Sequence, residues 1–235
     1  MTNLDAGKAF TSLTTPQLFD ACLTTGVEIR CAPPGGKPLA PHMKTAGRVL
    51  PARHAGSVDV FLEAFEAAGE GDVLVVDNQG REDEGCMGDL VALEARAARL
   101  AGIFLWGAHR DTRELVSIDL PIFSYGACLM GPRRLDSREP DALERAVVGT
   151  LAVGREDTVF WDIDGAIFIP TRELDRILSA AKSIAATERR QSRALESGRS
   201  LRDQLRFQEY LARRARDASY SFRRHLDGIG GAIEK

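Results

Sequence analysis

The sequence is poor in the features that mark membrane, secreted and nucleic-acid-binding proteins. It has four cysteines, 6% aromatic residues and a net charge of −3 among 235 residues. No apolar run reaches membrane-spanning length and no secretory signal is recognisable at the start, so we expect a cytoplasmic protein without membrane contact. The small net charge argues against nucleic acid as a partner. The cysteines lack the paired spacing of zinc sites, which predicts reduced thiols.

What the sequence does contain is enough apolar residues, 44% of the total, for one large core. We expect an α/β domain over residues 1–186 and a helical extension over residues 187–235. The extension holds 12 basic and seven acidic residues, whereas the rest of the chain is acidic. The favoured interpretation is an amphipathic extension that packs on a neighbouring subunit, and a surface for an anionic partner is the alternative.

Hydrophobic periodicity alternates between helices and strands. Helices are predicted at 15–23, 57–68, 90–100, 112–117 and from 171 onward, and strands at 46–49, 72–76, 103–106, 122–125, 159–163 and 166–169. Irregular segments are predicted at 31–41, 77–87 and 131–143. Gly102 should end the third helix, and Asp164–Gly165 should form a two-residue hairpin turn. This order predicts an α/β fold.

One pair of short motifs suggests a ligand site. Gly88 and Arg110 lie 22 positions apart, with a predicted helix and strand between them. Arg110 and Asp111 would follow the carboxyl end of that strand, where open α/β sheets bind ligands. Gly88 would begin the helix, where free backbone N–H groups favour an anion. Two simpler interpretations of Asp111 are open: an ion pair with Arg110, or a cap for the next helix.

These motifs and their neighbours resemble a known family over roughly residues 12–190. The resemblance is carried by GDVLVVD at 71–77, GDL at 88–90, GAHRD at 107–111 with Glu114, DLPIF at 119–123, GRED at 154–157, VFWDIDG at 159–165 and IFIP at 167–170. The family comprises relatives of the regulator of ribonuclease E activity and includes 4-hydroxy-4-methyl-2-oxoglutarate aldolases. It implies a swivelling β/β/α sandwich that assembles as a homotrimer or a hexamer, with sites between protomers.

The resemblance also implies roles for the candidate residues. Asp111 would be the protein ligand of Mg²⁺ or Mn²⁺, which bind oxygen donors and retain several waters. Arg110 would pair with a substrate carboxylate or stabilise an enolate oxygen. Backbone N–H groups that would bind the substrate belong to Gly88, Asp89, Leu90 and Val91.

Three carboxylates could support that site from further away. Asp89 could hold a water ligand of the metal, and an acid at a helix N-terminus is its equally good alternative. Glu114 shares a helical face with Asp111 and could support the site or bind Arg110. Glu188 could reach a neighbouring protomer's site. His109 is interpreted as a packing residue, or as a residue that supports the site from further away, rather than a ligand.

The implied activity is a metal-dependent retro-aldol cleavage of a small 2-oxo acid, through a pyruvate enolate. The same chemistry would decarboxylate oxaloacetate. One alternative is the same scaffold acting on another substrate, because the loop 77–87 departs from the glycine-rich pattern of the aldolases. Its charged residues 81–84 are expected near the pocket mouth. The other alternative is a non-catalytic protein that inhibits a ribonuclease. The site motifs contain no lysine, which argues against a Schiff-base route.

Overall fold

A computed structural model of the protein describes residues 3–229. The described residues form two compact units, of which the first comprises residues 3–16 and 29–175 and the second residues 17–28 and 176–229. The predicted boundary at residue 186 stays a prediction, and helix α6 (Leu174–Glu196) runs across it. Residues 230–235 of the predicted extension lie outside the described residues.

The first unit contains nine strands and most of the shorter helices of the described chain. The strands are β1 (Lys37–Pro38), β2 (Thr45–Arg53), β3 (Val73–Asp77), β4 (Gly102–Trp106), β5 (Ile122–Ser124), β6 (Arg145–Val148), β7 (Leu151–Gly154), β8 (Asp157–Asp162) and β9 (Gly165–Pro170). The helices are α1 (Asn3–Phe10), α3 (Asp59–Glu66), α4 (Asp89–Ala97), α5 (Thr112–Ile118) and the short 3-10 turn Thr171–Glu173, while α2 (Thr15–Thr25) begins in this unit.

Seven of these strands form one mixed sheet in the order β1-β5-β4-β3-β2-β8-β9. Strands β2, β3, β4 and β5 run parallel to one another, as helical crossovers require, whereas β1 and β8 pair with this group antiparallel. β2 pairs with β8 through its residues 45–48 and with β3 through its residues 49–53, so it belongs to two parts of the sheet. Strands β6 and β7 form a separate hairpin.

Alternate residues of the buried strands supply two apolar cores, one on each face of the sheet. In β3, Leu74 and Val76 pack with residues of α3, α4 and α5. Val73 and Val75 pack instead with the hairpin β6–β7 and with β8 and β9. The period of two residues therefore separates a helical layer from a second β layer. The predicted α/β sandwich of the β/β/α type, with a helical C-terminal extension, is confirmed.

The second unit is helical. After α6 it contains α7 (Leu201–Gln204), α8 (Phe207–Arg216) and α9 (Phe222–Ile229). An aromatic cluster joins the last two helices, with the rings of Tyr210 and Phe222 4.9 Å apart. The buried His225 makes a 2.8 Å hydrogen bond from Nε2 to the carbonyl of Leu205. Among the helices of residues 3–229, none combines the length and the apolar character that a membrane crossing requires.

Two local predictions were wrong. Gly102 begins β4 instead of ending a helix, since α4 already ends at Ala97 and the chain turns at Arg99, which has a φ of 60°. Gly102 is needed for packing: a Cβ there would lie 2.6 Å from the carbonyl oxygen of Pro121. The hairpin turn is shifted by one residue, because Asp162 pairs with Gly165 and leaves Ile163 and Asp164 as the loop. Strand β1 and the hairpin β6–β7 were not predicted.

Candidate active site

The candidate site lies beyond the carboxyl ends of three neighbouring parallel strands. Residues 85–88 follow β3, residues 107–111 follow β4, and residues 125–128 follow β5. These segments continue the sheet irregularly: Cys86 N–H donates to the carbonyl of Ala108 at 3.0 Å, and Cys128 N–H donates to the carbonyl of His109 at 2.8 Å. Arg110 N–H donates to the carbonyl of Met87 at 3.0 Å. The backbone thus holds residues 85–88 alongside Arg110 and Asp111.

Gly88 and the Asp111 carboxylate approach each other so closely that a side chain at position 88 would displace the carboxylate. A Cβ on Gly88 would lie 2.1 Å from Oδ2 of Asp111 and 3.3 Å from Cγ of Arg110. Gly88 has a φ of −137°, which other residues also adopt. A side chain at position 88 would therefore displace the Asp111 carboxylate, so the glycine provides space and not a special backbone conformation.

Asp111 turns the chain into α5 in the left-handed conformation, with a φ of 60° and a ψ of 40°. This conformation is uncommon for a residue other than glycine and is found at functional sites. The Asp111 side chain does not cap α5, so that simpler interpretation is wrong. The interpretation of Asp111 as the ion-pair partner of Arg110 is correct, since Nε of Arg110 donates to Oδ2 of Asp111 at 3.1 Å. The Asp111 side chain remains 32% exposed, so its carboxylate is still accessible to a ligand.

The N-terminus of helix α4 lies at the same site, beside Gly88. The first N–H groups of a helix have no partner within the helix and carry partial positive charge. One of them is already occupied, because Leu90 N–H donates to the Asp89 carboxylate at 2.9 Å. Asp89 therefore acts as an N-terminal helix acid. The N–H groups of Asp89 and Val91 are the better candidates for binding a substrate.

These residues line a cavity of about 180 Å³. It contains Gly88, Asp89, Leu90, Val91, Arg110 and Asp111 together with Val58, Gly85, Cys86, Met87 and Pro132. The last five were not identified from the sequence, because the sequence pattern of an apolar loop residue does not show whether it lines a cavity or packs in the core. Burial raises the pKa of the Cys86 thiol, which keeps it protonated and unsuited to nucleophilic attack. Within the described chain, the lining includes no lysine.

His109 is a buried packing residue, consistent with its interpretation from the sequence. Its Nδ1 lies 2.8 Å from Oγ of Ser124, and its Nε2 lies 2.9 Å from Oγ1 of Thr112. Burial lowers the pKa of His109 and favours the neutral imidazole. The imidazole thus links Ser124, at the end of β5, with Thr112, at the start of α5. Arg110 and Asp111 lie between His109 and Thr112 in the sequence.

The remaining predicted residues lie elsewhere. Glu114 lines a separate surface cavity with Asp89, and the described ion pair of Arg110 is with Asp111 instead. Glu188 belongs to the second unit, where it accepts a 2.6 Å hydrogen bond from Gln17, and burial together with Glu188 raises the pKa of Asp20. Residues 81–84 were expected near the pocket mouth. This prediction was wrong for Glu84, which is buried and does not line the cavity.

The sheet order defines an α/β sandwich protein with a cavity at the carboxyl ends of parallel strands. The model of the RraA-like family, described as Aldolase/RraA, matches residues 15–168, well over half of the chain. The chain belongs to this family, as the sequence motifs predicted.

Individual relatives are more distant. The chain is 27% identical over 197 residues to Protein DlpA of Legionella pneumophila, which covers 79% of this chain and 31% of DlpA. It is 28% identical over 134 residues to a Halalkalibacterium halodurans protein named "Putative 4-hydroxy-4-methyl-2-oxoglutarate aldolase", covering 57% of this chain and 63% of the relative. The chain thus spans less than two thirds of the length of both relatives.

A solved structure supports the fold. The crystal structure of Streptomyces coelicolor RraAS2, described as an unusual member of the RNase ES inhibitor RraA protein family, superposes with a TM-score of 0.68. The two chains are 22% identical, and the match covers 79% of this chain and 94% of RraAS2. At this identity the likeness establishes the architecture and not the activity.

Proposed function

We propose that the protein is a divalent-metal-dependent carbon–carbon lyase that acts on a small 2-oxo acid. The observation that carries this proposal is the close approach of Gly88 to the Asp111 carboxylate, with Arg110 beside both. Family membership supports it, as does the aldolase name of one relative. The reaction is a retro-aldol cleavage or a decarboxylation that passes through the enolate of pyruvate.

The chemistry of the donor set fits a hard divalent cation with one protein ligand. Asp111 offers an accessible carboxylate at the cavity, whereas the described chain contains no group of three or more His, Cys, Asp or Glu side chains suited to a metal. Mg²⁺ and Mn²⁺ accept a single carboxylate because waters and substrate oxygens complete their coordination. A bound divalent ion would supply Lewis-acid polarisation of the 2-oxo group.

The protein residues have separate tasks in this scheme. Arg110 places a permanent positive charge beside the oxygen on which negative charge develops, which stabilises the transition state more than the ground state. The N-terminus of α4 binds the substrate carboxylate through backbone N–H groups. The apolar side chains of Met87 and Pro132 reduce the access of water to the cavity and strengthen these electrostatic interactions.

We also propose that the active form is a homotrimer or a hexamer. Leu90 is 75% exposed at the cavity, and Val58 beside it is also exposed. Apolar side chains in this position are what a second copy of the chain would cover. Glu188 of such a copy remains a candidate for supporting the site.

The experiment that tests the proposal is an assay of pyruvate release from oxaloacetate and from 4-hydroxy-4-methyl-2-oxoglutarate. Wild type would be compared with Asp111→Asn, with Mg²⁺ or Mn²⁺ and with a chelator. Asn tolerates the left-handed conformation, so this variant removes the charge without straining the backbone. We expect metal-dependent release in wild type and a loss of at least about a hundredfold in the variant.

The matched control is Asp119→Asn. Asp119 also has a positive φ, at the other end of α5, and pairs with His42 on the surface. We expect this variant to retain wild-type activity. Metal-independent release, or equal loss in both variants, would contradict the role given to Asp111. A wild type inactive on both substrates, with Asp111 still binding metal, would favour the alternative of another substrate.

A further inference from the structure

A partly buried arginine outside the cavity joins three segments of the first unit. Arg134 lies in the irregular segment 131–143, and its Nε donates to Oε1 of Glu84 at 3.0 Å. Its Nη2 donates to Oδ1 of Asn78 at 2.9 Å, and Asn78 also lies 2.9 Å from Nδ1 of His54. One guanidinium therefore links the chain after β2, the loop after β3 and segment 131–143.

Glu84 depends on this contact because its carboxylate is almost completely buried, with 5% of the side chain exposed. Arg134 is its nearest cation, and Arg81 lies further away, with Nε 3.7 Å from Oε1. Without a partner of opposite charge a buried carboxylate is strongly unfavourable. Glu84 directly precedes segment 85–88, so whatever fixes Glu84 also fixes the start of that segment.

The segment that carries Arg134 also forms part of the site. Gly85 N–H donates to the carbonyl of Met130 at 2.7 Å, and Pro132 lines the cavity. A Cβ on Gly131 would lie 3.1 Å from Nη1 of Arg110. Residues 130–132 are therefore close to both segment 85–88 and the Arg110 side chain, and Arg134 follows them by two residues.

We propose that Arg134 and Glu84 are positioning residues, whose ion pair holds segment 85–88 and residues 130–132 in place around Arg110 and Asp111. Neither side chain lines the cavity, so both act through the backbone that they fix. The inference rests on the proposed function only in taking this cavity as the active site. It predicts that weakening the ion pair loosens the site before it unfolds the protein.

A second ion pair with a buried carboxylate provides the control for a general effect on stability. Nη1 of Arg30 lies 2.5 Å from Oδ1 of Asp157, and Asp157 is also almost completely buried. Arg30 additionally donates to the carbonyl of Ala152, at the start of β7. This pair has the same chemistry as Arg134–Glu84, yet it joins parts of the chain that contribute no residue to the cavity.

The test is hydrogen–deuterium exchange of the full-length protein, followed on peptides that cover residues 84–91. The variants are Arg134→Lys, which keeps the charge but lacks the planar fork, Glu84→Gln, which keeps the shape but lacks the charge, and Arg30→Lys. We expect exchange in residues 84–91 to be about tenfold faster in the first two variants, since each loses a hydrogen bond to a charged group. Arg30→Lys should leave this region within twofold of wild type.

Thermal unfolding of the three variants separates positioning from stability. Similar decreases in Tm, with faster exchange of residues 84–91 only in the Arg134 and Glu84 variants, would support the proposal. Unchanged exchange in both of those variants, or equal acceleration by Arg30→Lys, would overturn it. Because exchange requires no turnover, a wild type that releases no pyruvate would contradict the proposed function alone. In an active wild type, Arg134→Lys should raise KM about tenfold and Arg30→Lys should leave KM unchanged.

Discussion

The substitution Gly88→Ala tests the geometry of the site most sharply. The new methyl carbon would lie 2.1 Å from Oδ2 of Asp111 and 3.2 Å from its Cγ. A carbon–oxygen contact requires more than about 3 Å, so the carboxylate must move by on the order of 1 Å. A displacement of that size at a reacting centre costs roughly a hundredfold in rate. We therefore expect kcat/KM for pyruvate release to fall about a hundredfold, with little loss of stability.

The expected effect is specific because alanine adopts the extended backbone of Gly88 without strain. Gly7→Ala is the matched control, since a Cβ at that helical position would meet its nearest neighbour, the Ala46 carbonyl oxygen, at an ordinary 3.5 Å. The control should keep full activity and be slightly more stable, because alanine favours a helix over glycine. Wild-type activity in Gly88→Ala would refute the reasoning, as would an equal loss in Gly7→Ala.

Two further predictions concern Arg110 and the buried histidines. Arg110→Lys keeps the charge but loses the forked donors, so we expect kcat to fall about tenfold or more while Tm changes little, and an unchanged kcat would contradict its role. Burial lowers the pKa of His109 and of His54, so below about pH 6.5 the unfolded chain binds more protons than the folded chain. The free energy of unfolding should therefore fall as the pH is lowered through that value. His109→Gln should show a smaller decrease in Tm between pH 7.5 and pH 5.5 than wild type does. Equal decreases in Tm would contradict the assignment of a neutral His109.

The sequence predicts those parts of the fold that repeat a short pattern. Strand β3 is apolar at four consecutive positions and helix α3 has one apolar face, so both are recognisable without the structure. The proximity of Gly88 to Arg110 and Asp111 follows from the rule that the carboxyl ends of neighbouring parallel strands meet at one edge of the sheet. That rule requires only the order of the elements along the chain.

Other features of the site depend on contacts that have no local pattern. Arg134 and Glu84 are 50 residues apart in sequence, and Arg134 lies in a segment that reads as a polar linker. Charged residues in a loop are normally solvated, so nothing near Glu84 indicates that its carboxylate is buried. The sequence also does not predict the left-handed conformation of Asp111, because aspartate is common in turns of several kinds.

These contacts suggest how the family scaffold could be adapted to a particular substrate. The residues expected to touch the reacting atoms, Arg110 and Asp111, stand in the motif that carries the family resemblance. Glu84 belongs to the loop 77–87, which differs in sequence from the expected family pattern. The carboxylate of Glu84 pairs with Arg134 and does not line the cavity. Changes in this loop would therefore alter the site through the position of segment 85–88.

The central claim is that the carboxylate of Asp111 holds a divalent metal ion, and calorimetric titration of Mn²⁺ tests it most directly. The protein would be titrated as wild type, as Asp111→Asn and as Asp119→Asn. The account predicts one Mn²⁺ site per chain in wild type and in Asp119→Asn, and loss of that site in Asp111→Asn. Binding of equal affinity in all three proteins, or no binding in wild type, would contradict it.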